Sequence, residues 1–256
     1  MKKQKKEIAI SVATVHENRY CIFQPTDRPK EKIIEMQIKN GTIKVTGKLG
    51  QTHKDILEFI KHNHLKYGYT QDGRIAFLVD LYQLRKALGK GNSLYSYETL
   101  EKMLKDLIRT TVEIDTETMK ITGNFLAQVT ESKIELTTKN GTIRKLTRIE
   151  FSKLGTEIIE KDIKLFYDPT PIMKIQYGIS KALARYCLSH KNQPNGGWKI
   201  DTLLQAILGE TTPQAIKDAK RFLKKDIEQL KKCGIYIEND RVFLDRNTES
   251  SQTLEK

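Results

Sequence analysis

The stretch that decides the fold is Asp201-Thr-Leu-Leu-Gln-Ala-Ile-Leu208, Gly209-Glu-Thr-Thr212, Pro213 through Cys233-Gly234, then Ile235-Tyr-Ile-Glu238, Asn239-Asp240 and Arg241-Val-Phe-Leu-Asp245. The first segment reads as a short helix that ends at Gly209. Pro213 suits the first position of a second helix, because its missing N–H would be unsatisfied there anyway. That helix is predicted to run to Cys233 and stop at Gly234. Asn239-Asp240 between two apolar runs marks a tight hairpin. Helix, turn, helix and hairpin in this order outline a winged helix-turn-helix, in which the second helix enters the DNA groove.

The chain has 256 residues, which favours two domains, and 38% hydrophobic with 30% charged residues marks it as globular. Its formal net charge of +13 points to an anionic partner, nucleic acid first and an acidic membrane surface second. Cys21, Cys187 and Cys233 are far apart and form no C-x-x-C, so neither a disulfide framework nor a zinc site is expected. That usage fits a reducing cytoplasm. No apolar run reaches the roughly 20 residues of a membrane span. Met1-Lys-Lys-Gln-Lys-Lys6 reads as a basic arm rather than the start of a signal peptide, since the apolar residues after it are too few.

On a helical wheel of Pro213–Cys233, Ile216, Ala219, Leu223, Ile227 and Leu230 share one face, which must be core. Gln214, Lys217, Arg221 and Lys225 lie opposite, with Lys224 at the border. The helix carries seven basic residues against three acidic ones. Gln214 suits adenine, and Arg221 suits guanine or phosphate. Thr211 and Thr212 lie at the helix N-terminus, where hydroxyls and backbone N–H groups favour a phosphate. Arg241 could carry the wing to the DNA backbone.

The first half repeats this order. Asp80 precedes an apolar helix ending at Leu88-Gly89, a turn follows, then a helix through Arg109 with Leu104-Lys-Asp-Leu-Ile108, matching Leu223-Lys-Lys-Asp-Ile227. Gly89 to Leu104 is 15 residues and Gly209 to Leu223 is 14. A preceding helix, 52–64 or 172–190, completes each copy. This reads as a tandem duplication of one winged-helix unit. In the first copy Leu100, Met103, Leu104, Leu107 and Ile108 form the core face, while Lys102, Lys105 and Arg109 are balanced by Glu98, Glu101 and Asp106. Tyr97, Lys102, Lys105 and Arg109 are therefore secondary DNA-contact candidates.

The expected fold class is α+β: two tandem winged helix-turn-helix domains with a β-rich N-terminal extension. Residues 1–49 form the basic arm and extension, with Asn40-Gly41 as a hairpin turn; 50–168 the first, assisting or dimerising domain; 171–246 the main DNA-binding domain; and 247–256 a polar tail predicted to be disordered. Thr52 is expected to cap the helix bearing Ile56, Leu57, Phe59 and Ile60. Strands are expected at 74–79, 110–115, 121–129, 133–138, 143–151 and 158–167, and Asp168-Pro-Thr-Pro171 as the linker.

Signals for chemistry are weak. His62-Asn-His64 invites a nicking-nuclease reading, but the middle residue is polar, and His at a helix end has a simple rationale in the helix dipole. Gly41-Thr-Ile-Lys-Val-Thr-Gly-Lys48 is one residue too long for a P-loop, and Leu49 stands where Ser or Thr is required. No catalytic or metal site and no cofactor is expected.

Two winged helices, the second strongly basic, resemble the plasmid replication initiators of the iteron-binding Rep class. The texture is closest in Asp80-Leu-Tyr-Gln-Leu-Arg-Lys-Ala-Leu-Gly89, in Tyr97-Glu-Thr-Leu-Glu-Lys-Met-Leu-Lys-Asp-Leu107 and in Lys181-Ala-Leu-Ala-Arg-Tyr-Cys-Leu-Ser-His190. The resemblance spans about residues 50 to 245. It implies binding to direct repeats of double-stranded origin DNA, bending and opening of A·T-rich DNA, recruitment of a host initiator and replicative helicase, monomer–dimer self-association and autorepression. It also implies a bacterial cytoplasmic location near plasmid or nucleoid, without a membrane. The alternatives are a winged-helix transcription regulator, a nicking endonuclease working through His62, His64 and a tyrosine, and a structural or partner-binding protein with an incidental basic face.

Overall fold

In the computed structural model, residues 9–38, 41–89, 91, 93–116, 120–209 and 211–246 are described. The chain begins with β1 (Ala13–Thr14), α1 (Val15–Arg19), β2 (Lys32–Ile38), β3 (Gly41–Gly47) and α2 (Gln51–His62). Next come β4 (Lys66–Tyr69), β5 (Ile75–Val79), α3 (Leu81–Leu88), α4 (Tyr97–Arg109), β6 (Thr111–Thr116), β7 (Lys120–Gly123), β8 (Leu126–Thr137) and β9 (Ile143–Phe151). The rest comprises α5 (Lys153–Lys161), β10 (Lys164–Leu165), α6 (Thr170–Met173), α7 (Gly178–Leu188), β11 (Trp198–Lys199), α8 (Ile200–Leu208), α9 (Pro213–Lys225), α10 (Ile227–Lys232), β12 (Ile235–Glu238) and β13 (Arg241–Leu244). The class is α+β, and the strand pairs within its sheets are antiparallel.

The two halves share an order of elements. In the second, α7, β11, α8, α9–α10 and the β12–β13 hairpin follow one another, and the sheet order is β11-β13-β12. In the first, α2, β5, α3, α4 and the β8–β9 hairpin follow one another, and β5-β9-β8 gives the same sheet order, with β4 added at the edge of β5. Between α4 and β8 the first half inserts β6 and β7, which complete a separate sheet, β2-β3-β6-β7. Local chemistry fixes several of these elements. Asp80 caps α3 by accepting from the Tyr82 N–H, and Ser96 caps α4. Asn239 and Asp240, at φ 47° and 57°, form the left-handed turn that a two-residue hairpin needs.

Nonlocal packing changes the reading elsewhere. Residues 158–167, expected as a strand, begin as the end of helix α5 and keep only the short β10, because Ser152 caps α5 and its Leu154, Gly155, Thr156 and Ile159 are buried, Gly155 and Ile159 one turn apart. The long helix expected over 172–190 is split into α6 and α7, and the one over 213–233 breaks at Asp226. The two interruptions are one event: the buried Asp226 carboxylate accepts the backbone N–H groups of Gln176 at 3.2 Å and Tyr177 at 3.0 Å. The strand expected over 121–129 is two strands in different sheets, parted at Asn124, whose amide donates to the Ile108 carbonyl at 2.7 Å. Gly50, not Thr52, is the N-cap of α2; a Cβ on it would lie 2.5 Å from the Thr26 carbonyl oxygen.

Residues 9–49 are built into both halves rather than extending from them. Val12, Ala13 and Val15 lie in the apolar core of the second half, whereas Ile22, Phe23, Ile43 and Val45 lie in that of the first. β1 pairs with β10, and β3 pairs with β6. β2 and β3 pair antiparallel with Ile38 opposite Gly41, while Asn40 of the expected Asn40-Gly41 turn lies outside the described residues. The basic arm up to residue 8 and the tail 247–256 lie outside the described residues.

The halves meet across a buried ionic network between α1, α2 and α7. Arg185, 2% exposed, donates to Asp55 at 2.6 Å, to both Glu58 oxygens at 2.9 and 2.7 Å, and to Gln51 at 2.7 Å. Lys181 donates to Asp55 at 2.6 Å. Glu17 accepts from Lys61 and pairs with Lys54, both at 3.0 Å. Burial would raise the Glu17 pKa, but Lys54 and Lys61 outweigh it and hold the carboxyl at about 2. Burial brings Lys54 down to about 8 against the opposing pull of Glu17. For Arg185 burial is outweighed by Glu58 and Asp55, so its pKa is raised. Such a network is directional, unlike an apolar seam. It ties α2 to α7, the helix that opens each half, and so fixes how the two halves sit together.

Candidate nucleic-acid interface

α8 ends at Gly209, whose φ of 72° and ψ of −143° fall where only glycine sits without strain. After the turn, Thr212 caps α9 by accepting from the Ala215 N–H at 3.2 Å, and Pro213 opens the helix. Ala219 and Leu223 are buried, and each buried leucine of this kind stabilises by roughly 2 kcal/mol. The opposite face is therefore held toward solvent. Gln214, Lys217, Arg221, Lys224 and Lys225 are exposed on it, as is Thr212, while Thr211 is half-buried.

These side chains are partly organised by one carboxylate that the sequence reading passed over. Asp218 accepts from Gln214 at 3.2 Å and pairs with Arg221 at 3.2 Å. Both ends of the latter pair are well exposed, so it contributes less than about 1 kcal/mol. A phosphate or base edge can replace Asp218 at little cost. Lys217 and Lys224 form no ion pair among the described residues. The Lys225 ammonium lies 5.7 Å from the centre of the Tyr177 ring. Because the helix breaks at Asp226, α9 itself carries five basic residues (Lys217, Lys220, Arg221, Lys224 and Lys225) against Asp218 alone.

Two cations have structural work instead. Lys220 bridges Asp201 at 2.8 Å and Asp240 at 3.5 Å, linking α9 to the start of α8 and to the hairpin turn. Arg241, at the start of β13, donates to the carbonyls of Gly196 at 2.9 Å and Gly197 at 3.3 Å. It stands at the β12–β13 hairpin but is committed to the turn before β11.

The corresponding face of the first half is different. Lys105 pairs with Glu101 at 2.7 Å, and Tyr97, 55% exposed, lies under the Arg85 guanidinium at 5.8 Å. Lys102 and Arg109 are exposed. Between α4 and the β8–β9 hairpin runs a groove of about 490 Å³ floored by Leu100, Leu104, Ile108 and Val129. The cations on its rim, Lys105 and Lys145, already face Glu101 and Glu131. α4 therefore presents apolar surface and cations balanced by Glu98, Glu101 and Asp106, where α9 sets five cations against Asp218 alone.

The chain is similar in fold to domains 2 and 3 of RctB. A crystal structure of selenomethionine derivatives of those domains aligns at a TM-score of 0.57 with 12% identity, covering 91% of this chain and 96% of that one. A second structure of RctB domains 2–3 aligns at 0.50 with 14% identity, covering 88% and 87%. At that identity the likeness concerns the fold. No protein-family model matches the chain, and no curated protein matches it.

His62 and His64 are not brought together on a metal. His62 Nε2 lies 3.8 Å from Asp168, and His64 Nδ1 lies 2.9 Å from the Lys61 carbonyl oxygen. Among the described residues no group of three or more His, Cys, Asp or Glu could hold a metal ion, and no helix is long and apolar enough to cross a membrane.

Proposed function

We propose that this protein binds double-stranded DNA through two winged helix-turn-helix units and initiates plasmid replication at direct repeats of an origin. The observation that carries the reading is the outward face of α9. It gathers cations, three of them (Lys217, Lys224 and Lys225) without an ion pair among the described residues, on a helix that follows a tight turn and precedes a hairpin. α9 lies in the major groove, with Gln214 and Arg221 toward base edges and Lys217, Lys224 and Lys225 toward phosphates. Thr211 and Thr212 meet a phosphate at the helix N-terminus. The first unit assists or pairs with a second copy, because the charges of its helix balance, Lys102, Lys105 and Arg109 against Glu98, Glu101 and Asp106. Bound copies arrayed on repeats offset the cost of bending DNA and opening a neighbouring A·T-rich segment. A host initiator and replicative helicase then join, and a dimer represses the protein's own gene. The action is binding without a catalytic step or cofactor.

The test is a gel-shift titration with duplexes from the DNA flanking the gene. Arg221→Ala and Lys217→Ala should each weaken binding about tenfold or more, while Lys102→Ala should leave it nearly unchanged. Equal losses would overturn the assignment of α9 as the reading head. A symmetric operator bound by a stable dimer, without direct repeats or melting of A·T-rich DNA, would replace initiation by transcription regulation.

A further inference from the structure

The surplus positive charge of the first half lies on its hairpin. From Lys133 to Lys145 the β8–β9 ribbon carries Lys133, Lys139, Arg144 and Lys145 against Glu135 alone. Lys133 and Lys139 form no ion pair among the described residues, and Lys145 has only an exposed pair with Glu131 at 2.8 Å. β8 is 12 residues long, so it reaches about 40 Å at roughly 3.3 Å per residue. The pairing of β5 with β9 stops at Val79 opposite Thr147, and beyond that pair the ribbon has no third strand among the described residues.

A free two-stranded ribbon is marginally stable in water. This one is braced near its middle. Arg144 donates to Asp80 at 3.0 Å, and its guanidinium lies 3.9 Å from the centre of the Tyr82 ring. The ribbon also bears Ile134 and Ile143, 54% and 61% exposed. Bare isoleucines among lysines do not resemble an ordinary solvated edge.

We propose that the β8–β9 ribbon is a second DNA-binding element, laid into a groove of the duplex beside the segment read by α9. A two-stranded ribbon fits the width of a DNA groove. Its lysines can face phosphates, while Ile134 and Ile143 lie against sugars and base edges. Charge complementarity selects DNA as occupant, since Lys133, Lys139 and Lys145 are exposed with Glu135 as the one carboxylate between them. The inference rests on the duplex-binding reading and assigns the first half's share of that contact to the hairpin rather than to α4.

The full-length Lys133→Ala/Lys139→Ala variant is to be titrated with duplex from the DNA flanking the gene across a salt series. Two lost phosphate contacts should flatten the log–log salt slope by about 1.8 and weaken an unrelated duplex of equal length as much. The hydroxyl-radical footprint should lose one flank and keep the region of α9. Lys133→Arg/Lys139→Arg should restore slope and flank, which separates lost charge from a damaged fold. An unchanged slope and footprint in the alanine variant would overturn the proposal, as would loss of binding to anionic vesicles with DNA binding intact. If Arg221→Ala still weakens binding, only the hairpin assignment falls; if the wild-type chain binds no duplex, both readings fall.

Discussion

Replacing Arg185 by methionine tests the ionic network that joins the halves. Methionine keeps much of the volume and removes the charge and every donor. Asp55 and Glu58 would remain buried, at 0% exposure each, offset by Lys181 at 2.6 Å from Asp55, by the Tyr167 hydroxyl donating to Glu58 at 2.7 Å and by Lys54 at 4.0 Å from Glu58. Gln51 would also lose its partner at 2.7 Å. Removing one member of a buried ionic set strands its partners and costs about 3–5 kcal/mol. For a chain of this size that corresponds to a fall in Tm on the order of 10 °C. Thermal unfolding at pH 7, followed by circular dichroism, measures it. A second signature distinguishes stranded charge from poor packing. A stranded carboxylate is relieved by a proton, so the deficit of Arg185→Met should shrink as pH falls through the carboxylate range. Combining Arg185→Met with Glu58→Gln should then cost less than the two single changes together. A variant within about 1 kcal/mol of wild type at pH 7, with no pH dependence in the difference, would refute a buried, mutually dependent network.

Two further outcomes follow from buried carboxylates. Asp226→Ala leaves the N–H groups of Gln176 and Tyr177 without their acceptor, and should cost roughly 2–4 kcal/mol, read as a lower urea midpoint. Faster hydrogen exchange at those two amides should accompany it. Glu17 ionises at about 2 in the folded chain against an ordinary 4.5. Its stabilisation, about 3 kcal/mol, is present above pH 4.5 and is lost as pH falls toward 2. Glu17→Gln should therefore lower stability at neutral pH and flatten the acid limb of the unfolding curve, and an unchanged acid limb would contradict the pairing with Lys54 and Lys61.

Much of the candidate interface was legible in the residues because its signals are local. The turn after Gly209, the helix start at Pro213 and the Asn239-Asp240 hairpin depend on backbone preferences of a few adjacent residues. The helical wheel placed Lys217, Arg221, Lys224 and Lys225 opposite Ala219 and Leu223, and they lie there. It could not foresee that Asp218 would clasp Gln214 and Arg221, or that Arg241 would serve the Gly196–Gly197 turn, since both depend on rotamers and neighbours. The bare cations of the β8–β9 ribbon went unweighed because a charged hairpin and a solvated strand edge have the same sequence pattern.

Residue pattern was enough for the helix–turn–helix–hairpin order of 201–245, the Asn239-Asp240 turn, the helix start after Asp80 and the contrast in charge between α4 and α9. These follow from periodicity and from short-range backbone chemistry. The tertiary structure alone decided that α2 is buried on its polar side as well as its apolar side, that one carboxylate, Asp226, interrupts two predicted helices, and that residues 9–49 divide between both cores. Each depends on partners far away in the chain: Arg185 lies 127 residues beyond Glu58 and Asp226 49 beyond Tyr177. A polar residue on a helix reads as solvated until a distant segment brings it a counter-charge.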